Sequence, residues 1–282
     1  MSAIIESREL HFSHGTRAIF EGLSFAINSG EMIALLGANG VGKTTLLNLI
    51  AGLLQPAEGR INVQGREVSS WNRRELSRFV ALVPQSLEIP FSFRVDEVIA
   101  QGRVPYVGRF GSLSNHDYEV VEEAMKQVDV LGLRDRVYSE LSGGEKQRVK
   151  IAIGLAQQAK VMLLDEPTQH LDIGRQIEVL QLMRRLNQSG ITMVAAIHDL
   201  SIVREHFERS ILLMEEKATV GTSQEILRPE LLQRAFSIDA SAVGTLFECE
   251  PACPGFITEE RECRNTRLGQ RSKPRRRILP RF

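Results

Sequence analysis

The segment Leu35 to Leu46, LLGANGVGKTTL, contains Gly37-x-x-x-x-Gly42-Lys43-Thr44. Two glycines, a lysine and a hydroxyl at that spacing can grip a phosphate chain. Glycine lets the backbone curl so that successive N–H groups, and the positive end of the helix that follows, face one anion. Lys43 brings a mobile charge for the β- and γ-phosphates, and the Thr44 hydroxyl is placed to ligate Mg²⁺. Gly37, Asn39, Gly40, Gly42, Lys43, Thr44 and Thr45 are therefore the candidate binding residues for a nucleoside triphosphate with Mg²⁺.

Two carboxylates stand where that chemistry needs them. Val161-Met162-Leu163-Leu164 is a fully apolar strand closed by Asp165 and Glu166. A strand without polar alternation fits the centre of a parallel sheet, and ligands bind at the C-terminal edge of such sheets. There Asp165 can hold the Mg²⁺ shell and Glu166 can activate a water. A second anion site is readable at Leu141-Ser142-Gly143-Gly144-Glu145, where Ser142 can cap a helix and the glycines leave backbone N–H groups open. One triphosphate pocket in one chain has no evident need for it.

Three other polar residues end apolar segments. Gln85 follows the strand Phe79 to Val83, His198 follows Ile191 to Ile197, and His14 lies in the opening β-layer. Taken singly, Gln85 reads as a polar strand terminus, His198 equally as a capping residue or a γ-phosphate contact, and His14 as a surface histidine or an adenine-stacking ring.

The elements that must position these groups follow from the apolar patterns. Met32 to Leu36 predicts a buried strand, and Leu46, Leu47, Leu49 and Ile50 recur at helical spacing. Residues 3 to 36 alternate as strands with a turn at Asn28-Ser29-Gly30, and Arg60 to Val63 predicts a short strand turning at Gln64-Gly65. Trp71 to Phe79 predicts a helix. From Ser86 to about Lys160 the pattern is helical, with Val95, Val98 and Ile99, then Val120, Val121, Ala124, Met125 and Val128. Arg175 to Leu186 is amphipathic, Ile211 to Met214 predicts a strand, and Glu225 to Phe236 predicts one helix.

Composition places limits on the rest. With 282 residues, 43% of them hydrophobic and 25% charged, the chain has the make-up of an ordinary globular protein. The opening MSAIIESREL has no cleavable apolar region, and no run is long enough to cross a bilayer. The expectation is a cytoplasmic protein that reaches a membrane only through a partner. The zero net charge conceals an asymmetry: residues 261–282 carry nine Lys or Arg against the single Glu262, leaving 26 basic and 34 acidic side chains in the first 260. Cys249, Cys253 and Cys263 lie near that basic end, with spacing that suits plain thiols better than a zinc module.

Taken together, GANGVGKTT, Gln85, LSGGE, LLDE, the Leu171-Asp172 pair and His198 occur in an order that resembles the nucleotide-binding subunit of ATP-binding cassette (ABC) transporters, from about Ile4 to Val243. LSGGE, followed by Gln147-Arg148 and then by the strand ending in Asp165-Glu166, is the most specific part. The resemblance implies an α/β fold: a P-loop NTPase core with a mostly parallel sheet, an N-terminal antiparallel β-layer and an inserted helical subdomain at about 86–160. It implies one ABC ATPase domain over residues 1–246; the basic tail over 247–282 has no counterpart in the family, and its lost periodicity and its proline and arginine content predict poor order. The resemblance also explains the spare anion site, because two subunits would pack head to tail. Ser142, Gly143 and Gly144 of one would cover the γ-phosphate held by Lys43 of the other. Glu166 would polarise the attacking water, His198 would position the γ-phosphate, Gln85 would contact the metal or water, and Asp172 would link the two sites. His14 takes the adenine-stacking position, where a larger aromatic is usual.

A narrower likeness lies in Val95-Asp96-Glu97-Val98-Ile99-Ala100-Gln101-Gly102-Arg103 with Pro105-Tyr106, in Gln169-His170-Leu171-Asp172-Ile173, and in His198-Asp199-Leu200. These are similar to the ATPases of iron-chelate, haem and vitamin B12 importers. That implies a homodimer, two transmembrane permease subunits, an external binding protein acting through the permease, a peripheral location on the cytoplasmic face of the membrane, and no nucleic acid. The competing expectation is a soluble, non-transport ABC ATPase acting on nucleic acid or ribosomes through the basic tail. Such proteins usually carry two cassettes or a long coiled coil, and this chain has one cassette and no sustained heptads.

Overall fold

The computed structural model describes residues 3–89, 91–108, 111–214 and 217–237. The three cysteines, the arginine-rich stretch and the boundary expected at residue 246 lie outside the described residues. Strand β1 (Ala3–His14) pairs antiparallel with β2 (Arg17–Asn28). The chain then enters a second sheet at β3 (Met32–Leu36), which runs into helix α1 (Lys43–Ile50). It returns to the first sheet as β4 (Glu58–Val63) and β5 (Arg66–Glu67), in the order β2-β1-β4-β5. Gln64 and Gly65 between them both have positive φ, 52° and 74°, the backbone of a tight two-residue hairpin turn.

After α2 (Arg73–Ser77), strand β6 (Val80–Val83) rejoins the second sheet. The helix expected over Trp71 to Phe79 is shorter than its pattern because Asn72 caps it, its side chain accepting from the Arg74 amide. Three helices follow: α3 (Val95–Ala100), α4 (Asn115–Gln127) and α5 (Gly143–Ala156). Then come β7 (Val161–Asp165), α6 (Ile173–Gln188), β8 (Thr192–Ala196), α7 (Leu200–His206), β9 (Arg209–Leu213), β10 (Ala218–Thr222), α8 (Ser223–Ile226) and α9 (Pro229–Phe236). The single helix expected over Glu225 to Phe236 is two. Pro229 lacks the N–H a continuing helix needs, and it opens a new first turn instead. The strand at Ile211 begins two residues earlier, and β10 was not expected at all.

The second sheet has the order β10-β9-β3-β8-β7-β6, parallel throughout except for the antiparallel edge pair β9-β10. It is a P-loop α/β sheet, and it separates two apolar cores. Because side chains alternate across a strand, Ile33 and Leu35 face the antiparallel layer with α1, whereas Ala34 and Leu36 face α3 to α9. The same division places Leu163 with the first core and Met162 and Leu164 with the second. Burial on both faces is why β3, β7 and β8 read as unbroken apolar runs.

Helix α5 belongs to both the sheet and the helical group. A Cβ on Gly154 would stand 3.0 Å from Met162 Cε, while α3 and α4 pack on the far side of the helix. Arg103 fastens this group: Nε donates to Asp117 Oδ1 at 2.8 Å, and a guanidinium N–H donates to Ala156 O at 2.8 Å. Its plane lies 3.8 Å from the Tyr106 ring centroid. Asp117 also caps α4 through Ser114, and its carboxyl is pulled down to about 2, chiefly by the Ser114 hydroxyl and amide and then by Arg103.

Candidate functional site

The turn between β3 and α1 is shaped by what presses on it. Gly42 has φ 110°, and a Cβ there would lie 2.5 Å from Ile19 Cγ2 and 2.9 Å from Phe20 Cζ, both on β2. Gly37, at φ 144°, would carry its Cβ into Leu213 O at 2.6 Å. Only glycine fits either place. Helix α1 begins without a side-chain cap, so the N–H groups of its first turn remain available to an anion. Asn39 and Gly40 form the exposed crest of the turn, with Gly40 at φ 77°.

Lys43 is buried, and its ammonium donates to Gly37 O at 2.8 Å and Ala38 O at 3.2 Å. Burial pushes its pKa down, and the charges of Glu166 and Asp165 oppose that shift. Thr44 Oγ1 donates to Asp165 Oδ2 at 2.8 Å, bringing the P-loop and the end of β7 together. Burial raises the Asp165 pKa against the Thr44 hydrogen bond, and the neighbouring Glu166 charge adds to the rise. Among the described residues Asp165 has no ion pair. A buried carboxylate in no recorded ion pair, with the Thr44 hydroxyl against one of its oxygens, is a hard oxygen donor pair that fits Mg²⁺.

Glu166 is engaged at both carboxylate oxygens. His198 Nε2 lies against Oε1, and Gln85 Nε2 donates to Oε2 at 2.9 Å. Gln85 also donates to Gln169 Oε1, while Lys150 on α5 donates to Gln85 O at 2.6 Å and Pro84 O at 3.2 Å. Glu166 itself has φ 51°, left-handed backbone that is uncommon for a residue with a side chain. The parallel order β8-β7-β6 explains the gathering, since the three strand ends carrying His198, Glu166 and Gln85 are successive neighbours.

His14 is exposed at the rim of the P-loop, with Nε2 3.4 Å from Thr45 Oγ1 and its ring edge-on to Phe12 at 4.9 Å. Ser142 caps α5: its hydroxyl accepts from the Glu145 amide while the Glu145 carboxylate accepts from the Ser142 amide at 2.7 Å. A Cβ on Gly143 would meet Leu171 Cδ2 at 3.5 Å, and one on Gly144 would meet Arg175 Cδ at 3.0 Å. Asp172 caps α6, accepting from the Arg175 amide at 3.0 Å. The LSGGE turn and Asp172 are thus neighbours in one chain. Among the described residues, Ser142, Gly143 and Gly144 make no hydrogen bond to the P-loop.

Sequence reasoning missed Gln169 and Lys150. The signal for Lys150 was its place in Val149-Lys150-Ile151-Ala152, a charge inside an apolar helical run. Gln169 stood in the motif Gln169-His170-Leu171-Asp172-Ile173 without a role of its own.

A model of the ABC transporter family matches residues 20–169. The iron(3+)-hydroxamate import ATP-binding protein FhuC of Bacillus subtilis is 34% identical over 264 residues, covering 92% of this chain and 97% of that one. The hemin import ATP-binding protein HmuV of Streptomyces coelicolor is 40% identical over 223 residues, 79% of each. The ferric enterobactin transport ATP-binding protein FepC of Escherichia coli is 35% identical, covering 84% of this chain and 88% of its own. Among solved structures, cbiO1 of Clostridium perfringens, part of the ABC transporter complex cbiONQ, superposes with a TM-score of 0.73 at 28% identity. That match covers 88% of this chain and all (100%) of the other.

Proposed function

The chain belongs to the ABC transporter family, and from that premise we propose that it is the ATP-hydrolysing, energy-coupling subunit of an importer for an iron–siderophore complex, haem or cobalamin. It is an ATP-binding protein and an ATPase. The observation that carries the mechanism is Glu166, held between Gln85 and His198 and one residue from Asp165, whose carboxylate accepts from Thr44. Phosphoryl transfer asks a protein mainly for placement and charge neutralisation. The first-turn N–H groups of α1 and the Lys43 ammonium hold the β- and γ-phosphates. Glu166 orients the attacking water and accepts its proton, His198 steadies that carboxylate and the γ-phosphate, and Gln85 aligns the same water. Thr44, Asp165 and the side-chain amide oxygen of Gln85 would hold Mg²⁺, which when bound neutralises phosphate charge.

The Ser142-Gly143-Gly144 turn completes the site of a second copy, with Asp172 beside it. Closure is then favoured by ATP, because those donors meet a phosphate only in the closed dimer. Two permease subunits receive the motion on the cytoplasmic side of the membrane, and an external binding protein supplies the cargo. No helix among the described residues is long and apolar enough to cross a membrane. The relatives named above are import and transport subunits, and this favours transport over a non-transport ATPase acting on nucleic acid or ribosomes.

The test is reconstitution with candidate permeases. Cargo uptake into vesicles should require ATP on the same side as this subunit, with ferric siderophores and haem as the first cargoes offered. ATP hydrolysis that no permease alters, with no uptake of either cargo, would refute the reading.

A further inference from the structure

Helix α5 carries Ser142 at its start and Lys150 two turns on, roughly 12 Å along the axis at 1.5 Å per residue. Lys150 is only 8% exposed, although it bears a charge. Its ammonium reaches out of the helix to the end of β6, bonding Gln85 O at 2.6 Å and Pro84 O at 3.2 Å. Among the described residues it has no carboxylate in ion-pair range, so two backbone carbonyls are its recorded partners. The Asp165 charge acts on this ammonium from beyond ion-pair range, and burial still leaves it a desolvation cost that an apolar side chain of similar volume would avoid. What the lysine supplies is a fixed link between two elements.

Those elements are the helix headed by the LSGGE turn and the turn that carries Gln85. Gln85 is held at both ends, its backbone by Lys150 and its amide by Glu166 and Gln169. A continuous series of contacts therefore runs from α5 through Lys150 and Gln85 to the Glu166 carboxylate. Gln169 braces the far end, its own amide donating to Glu166 O at 3.2 Å.

We propose that Lys150 is a positioning residue that clips the Pro84-Gln85 turn to α5, so that displacement of the LSGGE helix moves Gln85 relative to Glu166 and sets the rate of hydrolysis. This rests on the reading that Glu166 acts on the attacking water and that the LSGGE turn meets the nucleotide of a second copy. Lys150 touches no phosphate or water in this scheme. Its loss should leave ATP affinity in place and slow turnover.

The experiment compares steady-state ATP hydrolysis by the full-length wild type, Lys150→Met and Lys150→Gln, with Glu166→Gln prepared alongside. Met keeps the length and apolar stem but no donor, and Gln keeps a shorter donor. The expected result for Lys150→Met is a kcat lowered at least fivefold with KM for ATP within twofold of wild type, and for Lys150→Gln a kcat between the two. A smaller fall in kcat overturns the clip, as does a KM that rises in step with it, since that is what general disturbance of the fold would produce. Should Lys150→Met not fold, Lys150→Gln carries the test, and wild-type kcat in it overturns the proposal. Glu166→Gln separates the two levels. Normal turnover in that variant removes the underlying reading, whereas blocked turnover there with unchanged kcat in the Lys150 variants removes only the clip.

Discussion

The Thr44 hydroxyl donates to the Asp165 carboxylate at 2.8 Å, joining the first turn of α1 to the end of β7 across 121 residues of chain. Both groups are assigned to Mg²⁺, so each should be needed for the metal and neither for the bare phosphates. Thr44→Val keeps the shape and loses the oxygen. In that variant the Mg²⁺ concentration for half-maximal hydrolysis should rise about tenfold or more, the scale on which outer contacts tune metal sites. Nucleotide binding in EDTA should stay within about threefold of wild type, a modest change on the affinity scale. An unchanged Mg²⁺ titration would remove Thr44 from the metal site.

Glu166→Gln should lower phosphate release by about 10² to 10⁴, the usual contribution of a positioned general base. The phosphate-gripping groups remain in that variant, so Mg·ATP should hold it as a dimer on size-exclusion chromatography. A monomer that turns over normally would sink the assignment.

Gly42→Ala should be disabling for reasons of space. The new methyl would stand 2.5 Å from Ile19 Cγ2 at a backbone angle that favours glycine. A melting curve should show destabilisation of about 1–3 kcal/mol, and fluorescent-nucleotide titration should show weakened binding. Ile19→Ala in the same chain should recover part of the stability. Failure of that rescue would locate the strain elsewhere.

Arg103 and Asp117 offer a test away from the nucleotide. Both are buried, and removing one partner of a buried pair strands the other charge, so Arg103→Met should cost about 3–5 kcal/mol in denaturant unfolding. Asp117 has its folded pKa lowered from 3.8 to about 2, so its ionised form stabilises the fold. That stabilisation is fully present above the ordinary carboxylate range and is lost as pH falls from about 4 towards 2. Asp117→Asn should be less stable than wild type at neutral pH, with the gap narrowing over that window. A gap that does not change with pH would assign the effect to packing alone.

The parts readable from sequence were those whose signal is local. Buried strands such as Val161 to Leu164 announce themselves because both faces are covered, and the P-loop because its glycines are needed for reasons of backbone and space. β10 was missed because it is a half-buried edge strand, Ala-Thr-Val-Gly-Thr, with no apolar run and one recorded pairing partner, β9. The break at Pro229 was overlooked because the apolar spacing continues through it. The Gln85, Gln169 and Lys150 contacts join residues more than sixty positions apart. They are set by the order of parallel strands and by the path of α5, and neither periodicity nor spacing encodes them.

Glu166 rests in left-handed backbone immediately before Pro167, a setting that glycine or asparagine would occupy with less strain and that costs a glutamate about 1–3 kcal/mol. On the proposed mechanism, the position most wanted for turnover is thus one where folding preference pulls the other way. A directed-evolution campaign that selects for heat tolerance alone should enrich replacements at residue 166, and the survivors would be sturdier proteins that no longer consume ATP.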